Sequence, residues 1–203
     1  MRKIVASALA MLSLILAAAC GVSGSEATST TKAPSTTASE TTTTEAPSDQ
    51  IPVADWADAF CGNFGDWLDG IKAAGNDAGT GLSGGDLNGA KEAIVGLFDT
   101  ASSVTQTLLT SLEEGGFPDM ARGDQFVKDL IGKFEDFDQA IGAAKDGTNA
   151  LDTTDRAKFR TDVTALLATF DKETAAVGDS FGELDTKYRS SELQAALSSC
   201  DSL

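Results

Sequence analysis

The part of the chain from residue 51 to residue 203 predicts an all-α fold, an up-and-down bundle of about four long helices with a short C-terminal helix. Three observations favour this fold class. Apolar residues recur at three- and four-residue steps, as they do on one face of a helix. The breaks between these stretches are mostly short, and no stretch alternates apolar and polar residues as a half-buried strand does. A three-helix arrangement with one broken helix is the main rival architecture.

The first two helices are predicted over residues 53–74 and 86–114. Pro52 suits the start of the first helix because its fixed φ is already helical. The glycine-rich stretch 75–85 is expected to be a flexible connection. Asp86 is a suitable N-cap for the second helix, because its carboxylate can accept hydrogen bonds from free backbone N–H groups.

The third and fourth helices are predicted over residues 119–146 and 153–188, with Thr153 or Thr154 as the cap of the fourth. A Gly-Gly pair followed closely by proline separates the second helix from the third. A short last helix is expected from Ser191 onward, and it would return to the first helix.

Four aromatic residues dominate one face of the first helix, namely Trp56, Phe60, Phe64 and Trp67. Their three- and four-residue steps place them on a single stripe. Such a stripe is most often core, packed against neighbouring helices. Aromatic clusters also line ligand pockets and anchor partner proteins. These four residues are therefore the candidate ligand or partner contacts.

The first nineteen residues combine a basic start, Arg2 and Lys3, with an apolar stretch that ends in small residues before Cys20. This stretch is short for a membrane-spanning helix, which needs about 20 apolar residues. The run Leu16–Cys20 (LAAAC) resembles the signal of bacterial lipoproteins. The resemblance implies removal of residues 1–19 and acylation of Cys20, which would anchor the chain at the extracytoplasmic face of the cell membrane. An ordinary secretory signal or an uncleaved anchor is the alternative.

Residues 20–50 consist almost entirely of Ser, Thr, Ala, Gly, Pro and Glu. Because this stretch has no apolar periodicity, it cannot bury enough surface to offset its own ordering entropy, and it predicts a disordered linker. The density of hydroxyl side chains is similar to that of O-glycosylated stalks, and an unmodified spacer is the alternative. The predicted organisation is a signal peptide at 1–19, the lipidated cysteine and linker at 20–50, and a helical domain at 51–203.

Two cysteines remain in the predicted domain, Cys61 near its start and Cys200 near its end. In an exported chain, a single pair of cysteines predicts a disulfide bond. The bond would join the first helix to the last segment and stabilise the domain by constraining the unfolded chain. A redox role would need an activated thiolate and usually a close Cys-x-x-Cys spacing, which this pair lacks.

The composition excludes several functional classes. The formal net charge is −16 at pH 7, so the chain repels nucleic-acid phosphates and no nucleic-acid partner is expected. The sequence contains no histidine, which removes the usual Ser-His-Asp and Cys-His catalytic arrangements and most zinc and haem sites. It has no phosphate-binding glycine loop of the P-loop type. No cofactor and no metal are therefore expected.

Carboxylates are the remaining candidates for chemistry. Glu135, Asp136 and Asp138 form the densest local cluster, and a two-carboxylate hydrolase would need such groups in a cleft. They are predicted instead to form a solvated face beside core aromatics. One set has a superficial likeness to a calcium loop but lacks the alternating acidic pattern of such loops, namely Asn76, Asp77 and Asp86.

Three parts of the domain are similar to the small helical lipoproteins common in high-GC Gram-positive bacteria. They are the opening Trp56–Cys61 (WADAFC), the break at Gly116–Pro118 and the leucine-rich end with Cys200. The likeness is one of pattern across most of the domain, and it implies no activity and transfers no functional residues.

The sequence thus predicts a non-enzymatic, membrane-anchored extracytoplasmic lipoprotein that acts as an interaction or scaffold module of the cell envelope. Its expected partners are the lipid bilayer, through acylated Cys20, and an unidentified envelope protein or polymer. The alternative is a carrier for an apolar ligand held inside the bundle, in a cavity lined by Phe60, Phe64, Phe98, Phe134 and Phe170.

Overall fold

The computed structural model describes residues 49–83 and 86–202. The predicted signal peptide, Cys20 and nearly all of the predicted linker lie outside the described residues. The elements follow in chain order as β1 (Gln50–Ile51), α1 (Val53–Leu82), α2 (Leu87–Glu114), β2 (Phe117–Pro118), α3 (Gly123–Asn149), α4 (Arg156–Lys187), α5 (Ser191–Ala196) and a C-terminal 3₁₀ helix (Leu197–Ser202).

The four long helices pack against one another in chain order, α1 on α2, α2 on α3 and α3 on α4. The last segment, α5 with the 3₁₀ helix, returns to α1. This arrangement confirms the predicted all-α class with four long helices and a short C-terminal helix. The three-helix rival with a broken helix is wrong, because each long helix is continuous.

The core is apolar apart from a few hydroxyl groups, and each of these is satisfied. The indole N–H of Trp67 on α1 donates to Thr105 Oγ1 on α2 at 3.0 Å. The hydroxyl of Thr105 in turn donates to the carbonyl oxygen of Ala101 at 2.8 Å. Thr105 is fully buried, so this chain of bonds fixes the register of α1 against α2 without leaving an unpaired polar group in the core.

α1 is longer than predicted, and the expected connection over 75–85 is wrong for its first eight positions. The helix continues to Leu82 because its small residues let it lie close against α2. A Cβ at Gly81 would stand 2.5 Å from Ala93 Cβ, and Ala74 and Ala78 are buried in the same region. Helix packing thus outweighs the low helix propensity of the glycines.

The predicted cap of α2 is confirmed, and that of α4 is wrong. Asp86 accepts hydrogen bonds from two backbone N–H groups in the first turn of α2. In α4 the same role belongs to Asp155, which accepts bonds from Ala157 N and Lys158 N. Thr154 cannot serve as the cap because Asp152 Oδ1 accepts hydrogen bonds from its N–H and its hydroxyl in the preceding turn. These bonds lower the pKa of Asp152.

α3 begins at Gly123 rather than at residue 119, because a short parallel strand pair occupies the connection. β1 pairs with β2 in the register Gln50 to Phe117, which the sequence analysis missed. The backbone N–H of Phe117 donates to the carbonyl of Asp49, and that of Asp119 to the carbonyl of Ile51, both at 2.7 Å. The chain therefore enters α1 beside the end of α2, and residues 49 and 50, assigned to the linker, belong to the folded part.

Candidate functional site

The four predicted contact residues of α1 form a continuous stack of rings inside the core. Neighbouring ring centroids lie 5.4 Å apart from Trp56 to Phe60, 5.5 Å from Phe60 to Phe64 and 5.1 Å from Phe64 to Trp67. Each residue is between 2 and 7 % exposed. We call this stack the aromatic ladder.

Rings from α3 meet the aromatic ladder edge-on. Phe126 contacts Trp56 with the ring centroids 5.5 Å apart, and Phe134 contacts Trp67 at 5.7 Å. Edge-to-face and offset-stacked pairs of this kind are favourable beyond the area they bury. A ligand or a partner protein could touch the ladder only if the bundle opened.

The five phenylalanines proposed to line a ligand cavity are also buried and make contacts with one another. Phe64 lies 6.4 Å from Phe134, and Phe98 lies 5.3 Å from Phe170, centroid to centroid. Phe60 belongs to the aromatic ladder. In this conformation all five rings are buried, and each contacts another ring of the core.

The predicted disulfide between Cys61 and Cys200 is present, with 5.1 Å between the two Cα atoms. Both residues are buried, and the bond joins α1 to the C-terminal 3₁₀ helix across 139 positions of sequence. Leu193 and Leu197 of the same segment are buried in the core beside it. The disulfide thus holds the last segment over α1.

A groove between α3 and α4 opens at the described surface, with a volume of about 520 Å³. Its lining is rich in charged side chains of both signs, with small residues at its floor. The lining consists of Lys128, Asp129, Gly132, Lys133, Glu135, Asp136, Ser180, Glu183, Leu184 and Lys187. We call it the α3–α4 groove.

A tightly bonded cluster lies beside the α3–α4 groove, and two of its members, Asp129 and Lys187, line the groove. Asp129 Oδ2 accepts from Lys187 Nζ at 2.6 Å and from Tyr188 Oη at 2.7 Å. The hydrogen bonds from Lys187 and Tyr188 lower the pKa of Asp129, and the bond to Asp129 raises the pKa of Lys187. The guanidinium of Arg122 lies 4.9 Å from the centre of the Tyr188 ring and donates to the carbonyl of Lys187 at 2.8 Å.

Arg122 has a left-handed backbone with φ of 63°, a conformation that is unfavourable for a residue with a side chain. The contacts of its guanidinium with α4 offset this cost. Gly123, next in sequence, has no room for a side chain, since a Cβ there would lie 2.0 Å from the carbonyl oxygen of Pro118. The start of α3 is thus shaped by its contacts with α4 and β2.

The carboxylates singled out from the sequence are solvated, as expected of a polar face. Glu135 and Asp136 are exposed, and Asp136 pairs with Lys133 at 3.4 Å. Asp138 accepts from Ser102 Oγ on α2 at 2.7 Å. Two of the three line the α3–α4 groove, which the sequence analysis did not foresee.

Within residues 49–83 and 86–202, no three carboxylate or cysteine side chains lie close enough together to hold a metal ion. Asn76 and Asp77 lie on α1, and Asp86 caps α2. In the same two segments, no helix is both long enough and apolar enough to cross a bilayer.

Comparison of the chain with protein-family models, with curated proteins and with solved structures found no match.

The α3–α4 groove was not predicted from the sequence, and neither was the cluster of Asp129, Lys187 and Tyr188 beside it. These residues are separated by 58 and 59 positions, and sequence spacing alone does not reveal which charges meet across two helices. One signal was available. α1 and α2 each carry a single basic residue, Lys72 and Lys91, whereas α3 carries three and α4 carries five.

Proposed function

We propose that this chain is a membrane-tethered extracytoplasmic lipoprotein, non-enzymatic, whose helical domain binds another component of the cell envelope at its surface. The observation that carries the proposal is the contrast between the two candidate surfaces. The aromatic ladder is closed on both sides, whereas the α3–α4 groove is open and charged. Binding at the surface is therefore favoured over binding inside the bundle.

The tether part of the proposal rests on the lipoprotein-like run before Cys20. The strand pair β1–β2 fixes the point where the preceding chain joins the domain. Residues 21–48 would then connect the lipid anchor to one end of the bundle, beside the start of α1 and the end of α2. Of the two ends of the bundle, only this one would be joined to the lipid anchor.

The carrier alternative receives less support. A carrier needs an apolar space, and the five rings proposed to line it are buried against one another or against the ladder. Loading an apolar ligand would first require these contacts to separate.

A carboxylate enzyme is also less well supported. A general acid needs a pKa raised toward the working pH. Asp129 is the carboxylate of the cluster beside the α3–α4 groove, and its hydrogen bonds from Lys187 and Tyr188 lower its pKa. It stays ionised as a structural partner of these two residues.

Replacement of Cys20 by Ala tests the tether. In cells that process lipoproteins, the unchanged chain should fractionate with membranes and partition into detergent, and Cys20→Ala should lose both properties. Globomycin, which blocks removal of lipoprotein signals, should leave the unchanged chain as a precursor. If Cys20→Ala behaves like the unchanged chain in both assays, the tether assignment is wrong.

A photo-crosslinking amino acid placed at Glu183 tests the surface interaction in intact cells. Glu183 is exposed and lines the α3–α4 groove. The matched control is the same amino acid at Asn63, which is exposed on α1. We expect a discrete cross-linked product from position 183 and none from position 63. Equal products from both positions, or none from position 183, would contradict binding at the groove.

A further inference from the structure

We propose that the α3–α4 groove binds a short peptide segment that carries both an ammonium group and a carboxylate. This inference rests on the proposed function and names the chemistry of the partner at the same site.

The walls of the groove present both signs of charge on each helix. Lys133 and Asp136 line it from α3, and Glu183 and Lys187 line it from α4. Between them, a Cβ at Gly132 would have no atom within 4 Å. A ligand in the groove can therefore approach the backbone of α3. On each side of it, the protein presents an ammonium group and a carboxylate.

The two ion pairs of the groove differ in how readily they exchange partners. Asp129 is held by Lys187 at 2.6 Å and by Tyr188 at 2.7 Å, so this pair is part of the wall. Lys133 and Asp136 are 3.4 Å apart, three positions apart on one helix, and such solvated pairs are weak. Lys133 is therefore free to bind a ligand carboxylate, which leaves Asp136 to bind a ligand ammonium group.

The charge of the whole chain selects among ligand classes. A purely anionic ligand is repelled by the net charge of −16. A purely cationic ligand has no reason to prefer the groove, because the exposed face of α1 offers Asp55, Asp58, Asp66 and Asp69. A zwitterionic peptide has no net charge, and it gains most where both of its charges meet partners at once.

The size of the groove fits a short segment. Its volume of about 520 Å³ lies within the range of roughly 300–1,000 Å³ that is usual for small-ligand sites.

The test uses the whole mature protein in detergent micelles, labelled with ¹⁵N, and the free tetrapeptide Ala-Glu-Lys-Ala as the probe. Its uncharged analogue, acetyl-Ala-Gln-Gln-Ala-amide, is the first control, and spermidine and inorganic phosphate are the single-sign controls. Gly132→Leu adds an apolar side chain to the groove lining at a position where a Cβ meets no atom within 4 Å. Gly142→Leu is the matched control, because a Cβ at Gly142 on α3 also has no atom within 4 Å and Gly142 does not line the groove.

We expect saturable shifts of the amides around Gly132 and Glu183 with Ala-Glu-Lys-Ala and with no other probe. Gly132→Leu should weaken this binding by at least about tenfold, and Gly142→Leu should leave it unchanged. If the uncharged analogue, spermidine or phosphate binds as tightly as Ala-Glu-Lys-Ala, the proposal of a zwitterionic ligand is wrong. The proposal is also wrong if the Gly132→Leu variant binds Ala-Glu-Lys-Ala as tightly as the unchanged protein. If peptide binding fails while cross-linking from position 183 persists, the ligand class is wrong and the proposed function stands.

Discussion

Tyr188, the residue that follows α4, is 4 % exposed and donates its phenolic hydrogen to Asp129 of α3 at 2.7 Å. The same carboxylate oxygen accepts from Lys187. One carboxylate thus ties the end of α4 to the first half of α3 beside the α3–α4 groove. This bond involves an ionisable group whose pKa is lowered in the folded state.

We predict that Asp129→Asn lowers the free energy of unfolding by about 1 kcal/mol at pH 7. Because the folded-state pKa of Asp129 lies below its unfolded value of about 3.9, its contribution is present above that value. The contribution is lost as the pH falls through the folded-state pKa. Urea unfolding of both proteins at several pH values should therefore show a gap that narrows below about pH 4. A gap of constant size would contradict the role of ionised Asp129.

Replacing both Cys61 and Cys200 by Ala should lower the free energy of unfolding by about 2–4 kcal/mol, because the open chain gains entropy when it unfolds. Denaturant titrations of the oxidised protein, the reduced protein and the double variant check this. Reduction of the unchanged protein should have nearly the same effect as the double substitution. Reduction without any loss of stability would show that the last segment does not depend on the disulfide.

Thr105→Val should destabilise the domain by about 1–3 kcal/mol, because it leaves the buried indole N–H of Trp67 without an acceptor. Trp67→Phe combined with Thr105→Val removes both partners, so the two substitutions should be less costly together than the sum of their separate effects. A double-mutant cycle measures this coupling directly. Strict additivity would mean that the bond at 3.0 Å contributes nothing to stability.

Two glycines of α1 should respond to alanine in opposite ways. The new Cβ of the Gly79→Ala variant would have no atom within 4 Å, so this substitution should stabilise the helix by up to about 1 kcal/mol. Gly81→Ala places a Cβ 2.5 Å from that of Ala93 and should be destabilising, because neither alanine methyl can move away. Thermal unfolding of the two variants checks the close packing of α1 on α2. Stabilisation by both would place the end of α1 away from α2.

The apolar periodicity was sufficient to predict the helices, because each long helix buries one continuous stripe. The Asp86 cap and the disulfide were also predictable, since each follows from residue type and position. The end of α1 was not, because the outcome at Gly81 depends on the distance to Ala93 of another helix. The α3–α4 groove was even less predictable, because it is formed by side chains on two helices about sixty positions apart in the sequence.

The contrast between a buried aromatic core and a charged surface groove is the reason that we propose binding at the surface. Trp56 and Trp67 looked from the sequence like the best candidates for contact, yet both lie in the aromatic ladder. Lys133 and Lys187 were not among the contact residues predicted from the sequence, yet both line the groove.

The intact mass of the protein extracted from membranes tests most directly whether the domain is lipid-anchored and oxidised outside the cytoplasm. We predict a chain that begins at Cys20 and carries the mass of a diacylglyceryl group, with no further mass gained on thiol alkylation until the disulfide is reduced. A mass without lipid would contradict the anchor at Cys20, and alkylation of Cys61 and Cys200 before reduction would contradict the disulfide.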